Sequence, residues 1–91
     1  MTGQTRRLSI VNEKGLHARA SARLVETVER FDASATVSKD GMDASGDSIM
    51  GLLMLAASKG TIIEVRTTGP EAEALADALE ALVSDRFGEG N

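Results

Sequence analysis

Residues 13–22 have the sequence EKGLHARASA, and they mark the point where a first strand gives way to a first helix. A charged, glycine-containing turn (residues 13–15) precedes the chain's single histidine, His17, and an alanine-rich amphipathic segment follows it. This pattern predicts that His17 lies at the beginning of a helix, with Arg19 beside it. Unpaired backbone N–H groups and the positive end of the helix dipole meet there. Such a place suits an anion, above all a phosphate, next to a nucleophilic ring nitrogen.

Hydrophobic periodicity along the rest of the chain predicts the element order β-α-β-β-α-β-α. Strands are predicted at residues 7–11, 33–38, 42–45 and 61–67, and helices at residues 18–30, at 49–57 and after Gly69-Pro70-Glu71. We therefore expect an α+β fold, a small open-faced two-layer sandwich in which three helices cover one face of a four-stranded antiparallel sheet. The 91 residues predict one domain, with frayed ends at residues 1–5 and 88–91.

Composition excludes several classes of function. The net charge of −4 disfavours a general role with nucleic acids, and two phenylalanines without Trp or Tyr argue against base stacking. The lack of cysteine excludes disulfides and thiolate metal sites and fits a cytoplasmic location. No apolar run reaches membrane-spanning length, and the first residues lack the apolar stretch of a signal peptide. We expect a cytoplasmic monomer that needs no cofactor. We also expect no metal site, because the acidic residues between 40 and 47 lack the spacing of a calcium-binding loop.

Local charge differs from the total. The segment from residue 5 to residue 23 contains one acid and five cations, which are Arg6, Arg7, Lys14, Arg19 and Arg23. A basic first helix on an acidic protein suits a phosphate group or an acidic protein partner. The alternative interpretation is a solvated charged face.

The second helix is apolar nearly all round. Ser48 is predicted to cap it, and residues 49–57 follow as a short apolar run. The residues predicted to face the sheet are Leu52, Leu55 and Ala56. The residues left for a partner surface, together with Arg23, are Ile49, Met50 and Leu53. The alternative is a core helix that is covered on both sides.

Two motifs resemble the histidine-containing phosphocarrier (HPr) family of the bacterial phosphoenolpyruvate-dependent phosphotransferase system. They are GLHAR at residues 15–19 and DSIMGLLMLAASKG at residues 47–60. Length and element order fit as well, so the resemblance covers nearly the whole chain. One departure stands out, because Ala20 occupies the place where this family usually has proline. Alanine is a good helix former but leaves the helix entry less rigid.

The resemblance implies that Enzyme I phosphorylates His17 on Nδ1 and that the group passes to an EIIA-type acceptor protein. It implies that Arg19 is the cation beside the phosphoryl group. It also implies that Ser48 is a regulatory site, used in some lineages by an HPr kinase/phosphorylase. Both the sugar-transporting and the nitrogen-related branches of the family stay open.

The residues themselves support the chemistry of a carrier. An imidazole with an ordinary pKa of about 6.5 is mostly neutral at pH 7 and has a free lone pair. Arginine suits a phosphate because its planar fork is always charged. A second hypothesis is a regulatory binding module of the same fold that acts through Ser48 and partner contacts. A small enzyme is disfavoured, because one histidine and no cysteine leave no catalytic triad.

Overall fold

The computed structural model describes residues 3–89 and has the predicted order of elements. The strands are β1 (Gln4–Ser9), β2 (Ser34–Lys39), β3 (Met42–Ser45) and β4 (Ile62–Thr68). The helices are α1 (Ala18–Glu29), α2 (Ile49–Met54) and α3 (Ala72–Ser84), followed by a short 3-10 turn at Arg86–Gly88. The predicted α+β class and element order are confirmed, with boundaries that differ by a few residues.

The four strands form one antiparallel sheet in the order β1-β4-β2-β3. Val37 of β2 pairs with Val65 of β4 and with Ala44 of β3, and all three side chains are buried. Strand residues alternate between buried and more exposed positions, as expected for a sheet that is covered on one face. The predicted Asp40-Gly41 hairpin turn is confirmed, since both residues have the positive φ angles of a type I′ turn, 51° and 81°.

The core between sheet and helices is aliphatic apart from one aromatic ring. Its largest fully buried apolar side chains are Phe87, Ile10, Leu24, Leu52, Ile63, Leu75, Leu79, Val37, Val65 and Val83. Phe87 lies beyond α3, in the turn where Arg86, Phe87 and Gly88 have φ angles of 55°, 54° and 78°. Because Phe87 is buried, this left-handed turn is anchored to the body and directs the following residue back toward α1.

The second helix is shorter than predicted. It ends at Met54 rather than at residue 57, and Ala56 has a φ of 52°. Leu52 and Leu55 are buried as predicted, but the expectation that Ala56 faces the sheet is wrong, because the left-handed backbone leaves it exposed. The chain turns at this point so that the Ala57 carbonyl accepts the Leu16 N–H at 2.8 Å.

The chain ends also differ from the prediction. Gln4 and Thr5 belong to β1, where they pair with Thr67 and Arg66 of β4. Gly88 lies in the turn anchored by Phe87, and the side chain of Glu89 is largely covered. The predicted fraying is therefore wrong for these residues, while residues 1, 2, 90 and 91 lie outside the described part of the chain.

Candidate functional site

His17 is the N-cap of α1. Its backbone is extended (φ −82°, ψ −173°) and its carbonyl accepts the Ser21 N–H at 2.8 Å, which starts the helix. The ring folds over the first turn, and Nδ1 accepts the Arg19 backbone N–H at 3.3 Å. Nδ1 therefore faces the free N–H groups at the start of α1. His17 thus lies at the helix start, as the sequence predicts.

The other side of the ring meets Glu89, which sequence analysis missed. Nε2 of His17 pairs with Oε2 of Glu89, across 72 residues of chain. The His17 side chain is 27% exposed and that of Glu89 only 11%. A carboxylate against Nε2 favours the neutral tautomer with its proton on Nε2, and in this tautomer Nδ1 keeps its lone pair.

Asn12 holds the second oxygen of the same carboxylate. Its Nδ2 donates to Glu89 Oε1 at 3.0 Å and to the Gly15 carbonyl at 2.8 Å. Burial alone would raise the pKa of Glu89, but hydrogen bonds from Asn12 and His17, together with electrostatic attraction from the same ring and from Lys14, outweigh it and lower the pKa. Glu89 is therefore ionised at neutral pH and complements positive charge on the ring.

Three cations and the His17 ring line a small cleft of about 240 Å³. The residues that line it are Lys14, His17, Arg19, Arg23, Gly88 and Glu89. Arg23, predicted for a partner surface, therefore lines the same cleft as His17. A Cβ at Gly88 would lie 3.1 Å from Nη1 of Arg23, so the glycine makes room for the guanidinium. Among residues 3–89, these three cations form no ion pair with a carboxylate within 4.0 Å, and they remain available to an anion.

The loop that carries His17 is fixed by Gly15. The Gly15 N–H donates to the Asn12 carbonyl at 3.2 Å and closes the predicted turn. Its φ is +66°, and an added Cβ would lie 2.5 Å from the Ala57 carbonyl oxygen. Only glycine fits this close approach between the loop and the segment that follows α2. Helix α2 is thereby held beside His17.

Helix α2 presents an apolar patch that borders the site. Met50 and Met54 are 71% and 69% exposed and Ile49 is 40% exposed, while Leu53 is half-buried. We call these four residues the α2 patch; Met54 belongs to it but was not predicted. A second groove links the patch to the ring and is lined by Lys14, Leu16, His17, Leu53, Ala56, Ala57 and Ser58. An exposed apolar patch of this kind is typical of a docking surface.

Ser48 is the N-cap of α2, as predicted. Its half-buried hydroxyl oxygen accepts the Gly51 N–H at 3.0 Å. The neighbouring Asp47 accepts a hydrogen bond from the Ser45 hydroxyl at 2.6 Å. These contacts give Ser48 a structural role in the helix start, and its regulatory role stays a prediction.

Within residues 3–89, there is no group of three or more His, Cys, Asp or Glu side chains that could hold a metal ion. In the same range, every helix is too short or too polar to cross a membrane.

Comparison with known proteins identifies the family. Residues 4–85 match the family described as the PTS HPr component phosphorylation site. The phosphocarrier protein HPr of Neisseria meningitidis is 49% identical over 84 residues, which cover 91% of this chain and 93% of that protein. The phosphocarrier protein NPr of Shewanella violacea is 40% identical over the whole of both chains.

Solved structures give the same result. The HPr of Thermoanaerobacter tengcongensis superimposes with a TM-score of 0.90 at 34% identity, over 94% of this chain and 97% of that one. A structure described as a dimer of that HPr has a TM-score of 0.76 at 35% identity, over 90% of this chain and 94% of that one.

Proposed function

This chain belongs to the HPr family of phosphocarrier proteins of the phosphotransferase system, and on that premise we propose that it carries a phosphoryl group on Nδ1 of His17. Enzyme I donates the group and an EIIA-type protein accepts it. The observation that carries the proposal is the pairing of Nε2 with Glu89, which leaves the lone pair on Nδ1 at the start of α1. Members of this family carry a phosphoryl group between other proteins and are not turnover enzymes.

The transfer requires one nucleophile. The Nδ1 lone pair attacks the phosphorus held by Enzyme I, a P–N bond forms, and the donor's bond to phosphorus breaks with its electron pair left on the donor. The ring keeps its proton on Nε2 and becomes positively charged, which the Glu89 carboxylate stabilises. In the second transfer the acceptor's nucleophile attacks phosphorus, and the P–N electron pair returns to Nδ1.

The surroundings of Nδ1 suit the group that arrives there. The hydrogen bond from the Arg19 N–H to Nδ1 is long, at 3.3 Å, so little is lost when Nδ1 takes a phosphoryl group instead. The helix start then faces phosphoryl oxygens with its free N–H groups. Lys14, Arg19 and Arg23 line the same cleft and compensate the added negative charge.

We propose that Enzyme I and the EIIA-type acceptor dock on the α2 patch and on the cations next to it. The patch lies beside the ring, and methionine side chains adapt to more than one partner surface. The cations favour partners with acidic rims around their own sites. Relatives named HPr and NPr both match this chain, and both are phosphocarrier proteins, so the role proposed here is that of a phosphoryl carrier in either branch. The expected cytoplasmic monomer stays a prediction, and gel filtration with light scattering tests the monomer.

Phosphorylation of Ser48 by an HPr kinase/phosphorylase is the proposed regulation. A phosphate on this hydroxyl would add about two negative charges beside Asp47, at the first turn of the helix that bears the α2 patch. The added charge would repel partners that recognise the cations near His17. The outcome we expect is slower phosphorylation of His17 by Enzyme I.

Intact-protein mass spectrometry tests the main proposal. The protein is incubated with Enzyme I and phosphoenolpyruvate, next to His17→Ala and a control carrier of known activity. We expect the mass of one acid-labile phosphoryl group on the wild type and none on the variant. A folded wild-type protein that gains no mass, while the control carrier does, would contradict the proposal and favour the regulatory module.

A further inference from the structure

We propose that Asn12 is a positioning residue for His17: it holds the Glu89 carboxylate against Nε2 and so keeps the ring in the tautomer that presents Nδ1. This inference rests on the proposed role of His17 and adds a group that does not touch the ring. Asn12 lies in the turn that precedes the HPr motif, five residues before His17 in sequence.

The orientation of the Asn12 amide is determined by its neighbours. The residue is fully buried, and its two N–H groups are directed at the Gly15 carbonyl and at Glu89 Oε1. Exchanging the two ends of the amide would place Oδ1 against two acceptors. Within residues 3–89, Oδ1 has no hydrogen-bond partner. An amide that leaves its own buried oxygen unpaired while using both N–H groups is held as a donor.

Asn12 fixes the position of the Glu89 carboxylate relative to the loop that carries His17. One of its bonds, to Gly15, ties it to the loop that carries His17, and the other ties it to Glu89. Glu89 Oε2 is then left for the ring. Without Asn12, the ring itself would be the remaining side-chain donor to Glu89, and neither group would hold the other in a set position. The positive-φ turn at Arg86–Gly88 brings Glu89 into reach, and Asn12 fixes where its carboxylate stops.

The consequence for chemistry follows from the two neutral forms of imidazole. With the proton on Nε2, Nδ1 is a nucleophile; with the proton on Nδ1, it is not. A carboxylate fixed at Nε2 favours the first form and stabilises the positive charge that develops on the ring during transfer. Loss of Asn12 is therefore expected to raise the fraction of the unreactive tautomer and to slow phosphoryl uptake.

Nitrogen-15 NMR of the imidazole measures the tautomer directly, and the chain's single histidine makes the assignment unambiguous. The variants are Asn12→Ala, Glu89→Ala and the pair combined. Thr67→Val is a matched control, since it removes a buried hydrogen bond of 2.7 Å to the Ala72 carbonyl, away from His17. We expect Asn12→Ala and Glu89→Ala to shift the tautomer ratio alike, the double variant to shift it no further, and Thr67→Val to leave it unchanged.

The rate of phosphorylation by Enzyme I should follow the tautomer. We expect Asn12→Ala to slow it by about two- to tenfold, the factor that one ordinary hydrogen bond represents, and to have no further effect when Glu89 is already alanine. If Asn12→Ala does not fold, Asn12→Leu keeps about the same side-chain volume, removes both N–H donors without adding a charge, and should give the same shift and slowing. An unchanged tautomer ratio in a folded variant, or additive effects in the double variant, would overturn the inference. A wild-type protein that is never phosphorylated would instead refute the proposed function, while the NMR measurement still decides the role of Asn12.

Discussion

Ala56 has a left-handed backbone at the edge of the groove beside His17, and replacing it with glycine should stabilise the protein. Its φ of 52° costs an L-residue about 1–2 kcal/mol, whereas glycine adopts this region freely. The unfolded chain gains about 0.5–1 kcal/mol of conformational freedom when glycine replaces alanine. Because Ala56 is exposed, little buried area is lost. Ala56→Gly should therefore raise the free energy of unfolding by about 0.5–1 kcal/mol.

Ala57→Gly is the matched control, one residue further on. Ala57 is buried, and its φ is not positive. The variant loses a buried methyl and gains unfolded-state entropy, so we expect it to lower the free energy of unfolding by about 1–2 kcal/mol. Urea denaturation gives both values, and thermal unfolding should show the Ala56→Gly midpoint higher by about 2–8 °C. A lower stability for Ala56→Gly, or the same sign for both variants, would refute the reasoning from backbone strain.

Three further predictions concern the site and its partners. The pKa of Glu89 is lower in the folded protein than in the unfolded chain, so its carboxylate stabilises the fold at pH values above the unfolded pKa of about 4.3, and this stabilisation is lost as the pH falls through the folded pKa. Glu89→Gln should therefore make the melting temperature depend less on pH between about pH 3 and pH 5. Arg23→Glu should lower the association rate with Enzyme I at low salt by about tenfold in stopped-flow measurements, whereas Arg30→Glu, at the far end of α1, should not. Ser48→Asp should slow phosphorylation of His17 by Enzyme I in a mass-spectrometric time course, and an unchanged rate would count against regulation at this residue.

Local patterns in the sequence were sufficient for most of the fold. The alternation of Leu8 and Ile10 predicted a strand with both side chains inward, and both are buried. The Asp40-Gly41 pair predicted the hairpin because a type I′ turn needs two residues that tolerate positive φ. These features depend on residues a few positions apart in sequence, so local composition and hydrophobic periodicity are enough to predict them.

The errors arose where a distant part of the chain decides the local backbone. The apolar run after Ser48 predicted a helix to residue 57, since alanine and leucine both favour helix. The helix ends earlier because Leu16, about forty residues upstream, takes the Ala57 carbonyl as its hydrogen-bond acceptor. Tertiary contacts of this kind override helix propensity, and a single sequence does not reveal them.

Glu89 shows the same limit at the candidate site, and it also shows which signal was available. Glycine and asparagine near the C-terminus are typical of a frayed end, yet Phe87, one of two aromatic residues in the chain, lies among them. A large apolar ring is seldom left in water when a small domain has little else to bury. Its burial converts the end of the chain into an anchored left-handed turn, and the residue after that turn reaches His17 across 72 positions. The histidine and arginine were identified through their own motif, whereas the carboxylate that pairs with Nε2 of His17 is brought there by the burial of Phe87 in the core.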